Sequence, residues 1–335
     1  MPCMIEYSTS HITLAYSLTS NVMAASAKQS RILYGILMAN LVSLVLVGGS
    51  KYLATYLEGE NAGSSSGVFI FSAFVIVPLL MGAISAWYWH PLQMKTKHYI
   101  GWSVVTTLIA CAASFLFLKE GVICLIIVLP LILCFTIAGA LLARMLYNRK
   151  NNTLNSSVAG LAILVLVVDT FSSHKNLQLV SDTLIVNAPI EKVWPHVVEY
   201  KPITLKEEYW LFQIGMPSPV QSTVDGYEAG AGRKCIFSNG YVFDEKMIVY
   251  KPNEELTFDI ISQPHDPEIM GHIDIVRGQF LLKDNGDGTT TVIGNSWYKL
   301  YVFPGWYFNL WSESITRNVH LRVMEHIKIL SESHV

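Results

Sequence analysis

The stretch Gly121 to Ala143 reads GVICLIIVLPLILCFTIAGALLA, without one charged side chain. Crossing a hydrocarbon core takes about 20 mostly apolar residues. In that environment a helix is the simplest structure that satisfies its own backbone. The stretch therefore predicts a transmembrane helix, kinked at Pro130 because proline removes an amide donor. Three further stretches of the same kind lie upstream, Ile32 to Gly49, Gly67 to Trp89 and Tyr99 to Phe117. Trp87, Tyr88, Trp89, Tyr99 and Trp102 gather at the ends of two of them, where amphipathic rings favour the headgroup layer. These stretches predict an α-helical membrane domain over residues 28–171, preceded by a polar, disordered N-terminus over residues 1–27. Met23 is an alternative start to Met1.

Downstream of the quoted stretch, Leu154 to Phe171 is a fifth apolar segment with a core of only Val158 to Val168, ending at Asp169. Lys28, Arg31, Lys95, Lys97, Arg144, Arg149 and Lys150 fall on alternate connections, against Lys51 and Lys119 on the others. The positive-inside rule then puts the N-terminus in the cytoplasm. A fifth crossing makes the C-terminal domain extracytoplasmic; an interfacial segment keeps it cytoplasmic. Crossing is the reading taken, in a bacterial inner membrane. No helix carries the chain of buried acids or histidines that a proton-coupled pump uses.

Residues 1–171 carry nine Lys/Arg and five Asp/Glu, and residues 172–335 carry fourteen and twenty. The division marks a second, acidic, water-soluble domain over residues 180–335, after a linker over residues 172–179. A net charge of −2 without a basic block lacks the electrostatic footprint of nucleic-acid binding. Cys3, Cys111, Cys124, Cys134 and Cys235 show no paired spacing, so neither a disulfide framework nor a metal site is expected. No signal peptide is read, and no cofactor is expected.

The second domain opens with a strand, Thr183 to Val186, and an amphipathic helix, Ile190 to Val198, entered through Pro189. A short helix is expected over Leu205 to Ile214. Strands follow at Arg233 to Phe237, Tyr241 to Tyr250, Glu255 to Ile261, His272 to Leu282 and Thr289 to Val302. Asn239-Gly240 and Asn285-Gly286-Asp287-Gly288 supply the positive-φ residues that tight hairpins need. Trp306 to Ser331 predicts a long helix with Trp311, Ile315, Val319, Val323, Ile327 and Leu330 along one stripe. An antiparallel sheet and one long amphipathic helix must bury their apolar faces on each other.

Within this domain Ala188-Pro189-Ile-Glu-Lys-Val193-Trp194 resembles the opening of the SRPBCC superfamily, the START-like helix-grip domains that include polyketide cyclase/dehydrase-type proteins. Gly230-Ala-Gly232-Arg233-Lys-Cys235-Ile-Phe237-Ser-Asn-Gly240 followed by Glu245, Gly294-Asn-Ser296-Trp297-Tyr298, and the closing Trp311-Ser312, His320-Leu-Arg322-Val323 and His326-Ile327-Lys328 resemble its bacterial members with an N-terminal membrane region. The resemblance spans about residues 180–332. It implies a curved antiparallel sheet wrapped around the C-terminal helix, with an apolar-ligand cavity between them. It implies no particular ligand and no reaction, since the superfamily holds binders, transfer proteins and enzymes.

Candidate ligand-lining residues are Arg233, Phe237, Phe258 and Phe280 on the strands. Trp297, Tyr298, Trp311 and Ile315 complete the set near the last strand and helix, where aromatic side chains concentrate. Candidate acid–base residues are Glu245, Tyr298 and His326. An ideal two-residue turn at Asn239-Gly240 would set Lys234 directly across from Glu245 and leave Arg233 diagonal, as a cross-strand ion pair. If Arg233 and Glu245 face the cavity instead, desolvation shifts the carboxyl for acid–base work. His320 and His326 are six apart, about 600° around a helix, and cannot form a metal pair. No Ser/His/Asp set, nucleophilic cysteine or metal cluster stands out. The expected function is a membrane-anchored domain binding a hydrophobic or amphipathic small molecule, such as a lipid, at the bilayer, without a named protein partner. The alternatives are a cyclase/dehydratase-type enzyme and a membrane scaffold docking a protein.

Overall fold

The computed structural model describes residues 25–49, 72–147, 176–264, 273–302 and 304–333. The fifth apolar segment, Leu154 to Phe171, and the polar N-terminus to residue 24 lie outside the described residues. The described chain forms two units.

In the first unit four helices are long and apolar enough to cross a membrane. The spans are Ala25–Gly49, Phe74–Leu92, Thr96–Leu118 and Val122–Tyr147, built on the helices α1 (Ala25–Gly49), α2 (Val77–Trp89), α3 (Thr96–Ala113) and α4 (Val122–Tyr147), with Pro130 inside α4. A π-helical turn, Ser72–Ile76, leads into α2, and another, Ser114–Leu118, prolongs α3. Between apolar helices in lipid, close approach of small residues replaces the hydrophobic drive. A side chain at Gly82 of α2 would run into the backbone of Thr136, and one at Gly139 of α4 into that of Leu79. Trp89 donates its indole N–H to the Ile32 carbonyl at 3.3 Å, and Asn40 donates to the Ile36 carbonyl at 2.9 Å. Ile32, Ile36, Ala86, Trp89, Tyr99 and Ala140 form the buried centre.

The second unit is a seven-stranded, wholly antiparallel sheet in the order β1-β7-β6-β5-β4-β3-β2. The strands are β1 (Asn176–Val186), β2 (Pro219–Val224), β3 (Gly232–Phe237), β4 (Val242–Lys251), β5 (Glu255–Ser262), β6 (Ile273–Asp284) and β7 (Thr290–Leu300). Helices α5 (Ile190–Val198) and α6 (Trp210–Gln213) connect β1 to β2, and α7 (Gly305–Glu332) closes the chain. From β2 to β7 each strand pairs with its sequence neighbour. β1 alone reaches across to β7.

Register shifts near Val220, in β4 and in β6 add the twist and bend that curve a sheet. One face of the curve receives α7: Val323, Met324 and Ile327 pack on Leu256, Phe258, Phe280, Leu282 and Val292. This curved sheet with a long C-terminal helix is the helix-grip arrangement that the sequence predicts. The other face is polar, as the Glu255, Thr257, Gln279 and Asn295 side chains bond one another across three strands.

Four expectations need correction. β1 begins at Asn176, inside the stretch read as linker, and is far longer than Thr183 to Val186. The helix expected over Leu205 to Ile214 shrinks to Trp210–Gln213. β2 was not anticipated: PVQSTV is short, and neither of its faces alternates cleanly in polarity. The β3–β4 hairpin closes through the three residues Ser238 to Gly240, with Phe237 and Tyr241 bonded across it and Gly240 at φ +84°. That loop is one residue longer than an ideal two-residue turn, so the register moves by one and Arg233, not Lys234, stands opposite Glu245.

Candidate functional site

Alternation along each strand decides which side chains face α7. On β3 and β4 these are Arg233, Cys235, Phe243, Glu245 and Met247, and their pairing follows from the register just described. Arg233 is 3% exposed and Glu245 7%. Arg233 donates to the Glu245 carboxylate through Nη1 and to the Val198 carbonyl through Nε at 3.1 Å. Its guanidinium lies 4.7 Å from the Phe258 ring centroid and 6.0 Å from that of Tyr200. Burial pushes the Glu245 carboxyl up, and the facing Arg233 opposes the rise. Beside them the Tyr200 hydroxyl meets Cys235 Sγ at 3.7 Å, and burial lifts the Cys235 thiol to about 12. This end of the face therefore holds a desolvated ion pair capped by rings.

His326 and Tyr298 also have partners inside the fold. His326 donates its Nε2–H to the Lys201 carbonyl at 3.0 Å and sits edge-on to Tyr200, and burial lowers its pKa. Tyr298 faces α7 from β7 and donates its hydroxyl to Asn309 Oδ1 at 2.8 Å. Burial, with Glu313 adding to it, pushes the Tyr298 phenol up to about 12. Glu245, Tyr298 and His326 thus lie on or beside the concave face, each engaged with a different neighbour. They are not gathered around one point.

Of the aromatic candidates, Phe258 and Phe280 lie together on the concave face with ring centroids 6.5 Å apart, and Phe237 packs 5.0 Å from Phe243. Trp311 and Ile315 are half-buried on α7, Trp311 meeting Trp210 edge-on at 6.3 Å. Trp297 stands apart. Its strand neighbours Ser296 and Tyr298 turn inward, so its own side chain lies on the outer face, opposite Leu179 and Arg277 in register. The α7 stripe is also rotated from the expected one in its first half, where Phe308 and Thr316 are the buried residues.

Sequence reasoning found no Ser/His/Asp set, and the structure assembles one. Ser296 on β7 meets His320 Nε2 at 2.7 Å, and His320 Nδ1 meets Asp182 Oδ2 on β1 at 2.9 Å. The other Asp182 oxygen receives Arg317 Nε at 2.9 Å. A carboxylate only accepts, so His320 Nδ1 carries the proton and Nε2 accepts from the serine hydroxyl. Burial lowers the pKa of His320, which favours this neutral ring, while Asp182 opposes the shift. The motif segments had marked Ser296 and His320, but Asp182 carried no signal because only the β1–β7 pairing brings it near. Among the described residues no group of His, Cys, Asp or Glu could hold a metal ion.

No protein-family model matches the chain, and no curated protein matches it. Similar solved structures include a truncated norcoclaurine synthase from Thalictrum flavum, at 12% identity and a TM-score of 0.35, covering 49% of this chain and 99% of that one. A protein from Nitrosospira multiformis is 19% identical with a TM-score of 0.33, covering 47% of this chain and 97% of that one. The Zhui aromatase/cyclase from a Streptomyces species is 10% identical with a TM-score of 0.33, covering 47% of this chain and 94% of that one.

Proposed function

We propose that the chain anchors a helix-grip domain to a membrane, and that this domain holds a hydrophobic or amphipathic small molecule, a lipid or lipid-like compound, between its sheet and α7. The observation that carries this reading is the uneven closure of the sheet on the helix. The second half of α7 buries His320, Val323, Met324, His326, Ile327 and Ser331, whereas the first half buries only Phe308 and Thr316. Within that first half Trp311 and Ile315 stay half-buried, as do Phe237 and Ile260 on the sheet. An apolar gap with a few fixed polar groups at its edge suits a ligand with an apolar body and one polar end.

The same end of the domain is where the chain enters, at Asn176 paired with Leu300. There Trp306 (69% exposed) and Leu310 (62%) stand one helical turn apart, with Trp210 and Ile214 also exposed. Exposed Trp and Leu side chains suit the headgroup layer of a bilayer. A domain tethered to a bilayer would meet bilayer-partitioned ligands at a high effective concentration. With a cytoplasmic N-terminus, a crossing by the fifth apolar segment would put the domain outside the cytoplasm, and a reporter fused after Val335 checks that side.

The test is native mass spectrometry of the full-length protein released from lipid nanodiscs. A bound lipid-sized ligand, retained by the wild type and lost when the half-buried Ile315 is replaced by Trp to fill the gap, is expected. A protein that carries and takes up no such ligand overturns the reading.

A further inference from the structure

Ser296, His320 and Asp182 are more than three satisfied polar groups. What distinguishes them is the order of their bonds. Here both ring nitrogens are engaged, in an order that leaves the basic nitrogen on the serine. Asp182 is fixed in turn by Arg317, so the ring cannot rotate without breaking its bonds to Asp182 and Ser296. His320 is 6% exposed, whereas Ser296 is half-buried on the concave face. The nucleophile is thus the accessible member and the base is the desolvated one.

The surroundings of Ser296 are apolar and low. Gly278 lies directly across from it on β6, and Gly294 precedes it by one pleat on β7. The Phe258 ring covers Gly278, since a Cβ there would come within 2.5 Å of it, and Met324 covers Gly294. An acyl chain with its carbonyl at Ser296 could extend along the first half of α7, where Ile315 and Trp311 are half-buried. The amides of β7 are committed to the sheet ladder, so donors to a developing oxyanion must be side chains. Tyr298 lies one pleat from Ser296 and holds Asn309 Oδ1 of α7, so the Asn309 amide N–H groups are the candidate donors.

We propose that Ser296 and His320 are the nucleophile and general base of an esterase, positioned by Asp182, that acts on esters of hydrophobic acids. The inference rests on the ligand-binding reading above and places chemistry in the same gap. Ser296 Oγ adds to the ester carbonyl carbon while its proton passes to His320 Nε2. The bond from that carbon to the alcohol oxygen breaks, and the departing oxygen takes the proton from Nε2. Water then adds to the acyl-serine as Nε2 accepts its proton, the acyl–Oγ bond breaks, and the proton returns to Oγ. One ester and one water give one acid and one alcohol, with no other reactant.

The experiment treats the full-length protein in nanodiscs with an alkyl fluorophosphonate and maps the label by peptide mass. p-Nitrophenyl dodecanoate hydrolysis is followed in parallel. Label on Ser296 is expected, absent in Ser296→Ala and slowed about 10²- to 10⁴-fold in His320→Gln. Asp182→Asn should keep Ser296 in place yet displace the pH–rate profile, which a merely structural aspartate would not do. A wild-type protein of normal melting temperature that takes no label at Ser296 overturns the proposal, as does hydrolysis unchanged in Ser296→Ala or His320→Gln. Native mass spectrometry on the same preparations separates the two readings. Ligand retained without label removes the esterase and leaves the binding domain, whereas label without retained ligand does the reverse.

Discussion

Replacing Arg233 by methionine keeps the length of the stem and removes the charge, leaving the Glu245 carboxylate, 7% exposed, without the guanidinium that pairs with it. Removing one member of a buried pair costs about 3–5 kcal/mol, because the remaining charge cannot recover its hydration. The Val198 carbonyl also loses its donor, and the Phe258 ring its cation. For a domain of this size about 1 kcal/mol moves the midpoint by roughly 2–4 °C, so the variant should melt about 6–20 °C lower. Differential scanning calorimetry of the full-length protein in detergent, following the transition of the helix-grip unit, measures the shift. The double variant Arg233→Met/Glu245→Leu should return to within about 1 kcal/mol of wild type or exceed it, as buried pairs replaced by packed apolar groups commonly do. A single variant melting within about 2 °C of wild type would mean that water reaches the pair, and the reasoning from burial would fail.

Gly278→Ala places a methyl against the Phe258 ring, and the overpacking should cost about 1–3 kcal/mol; Gly278→Ala/Phe258→Leu should recover part of it, both read by thermal melts. His196, His320 and His326 all have native pKa values lowered by burial, so the unfolded chain binds their protons first as the medium acidifies. Stability is complete above about pH 6.5, the unfolded imidazole pKa, and falls as pH drops towards the lowered native values. Melting curves from pH 8 to pH 5.5 should show that decline, and it should flatten in His326→Gln; a midpoint constant across the range would contradict it.

The legible part of this chain was whatever period and punctuation alone decide. Four apolar runs without a charge have few structural alternatives, and α7 could be placed to within a residue because its apolar positions recur over many turns. The β6–β7 hairpin was equally plain, since Gly286 and Gly288 at positive φ are what its turn demands. The β3–β4 register was not. Asn239-Gly240 suits a two-residue turn, yet the loop takes Ser238 as well, and that one-residue choice carries Arg233 from the diagonal to the facing position. The pair Arg233–Glu245 was therefore named with the right residues and the wrong geometry. The Ser296–His320–Asp182 chain was invisible for another reason. Asp182 lies 138 residues from His320, on a strand whose neighbour is the last in the sequence. No local pattern encodes such a meeting; the sheet has to form first. Trp297 shows the converse, where aromatic clustering drew attention to a position that strand alternation turns outward.

The pairing of β1 with β7 also sets a timetable for synthesis. β1 is complete at Val186, but its partner begins only at Thr290, about a hundred residues later. At ribosomal speeds of about 5–20 residues per second, β1 waits on the order of 5–20 s with no strand to bond. Through that interval the nascent domain adds β2 to β6 as successive neighbours, holds Asp182 on an unpaired β1, and lacks the strand that carries Ser296. The Ser–His–Asp chain is therefore completed only after β7 and α7 have been made, which makes it one of the last features of the protein to exist.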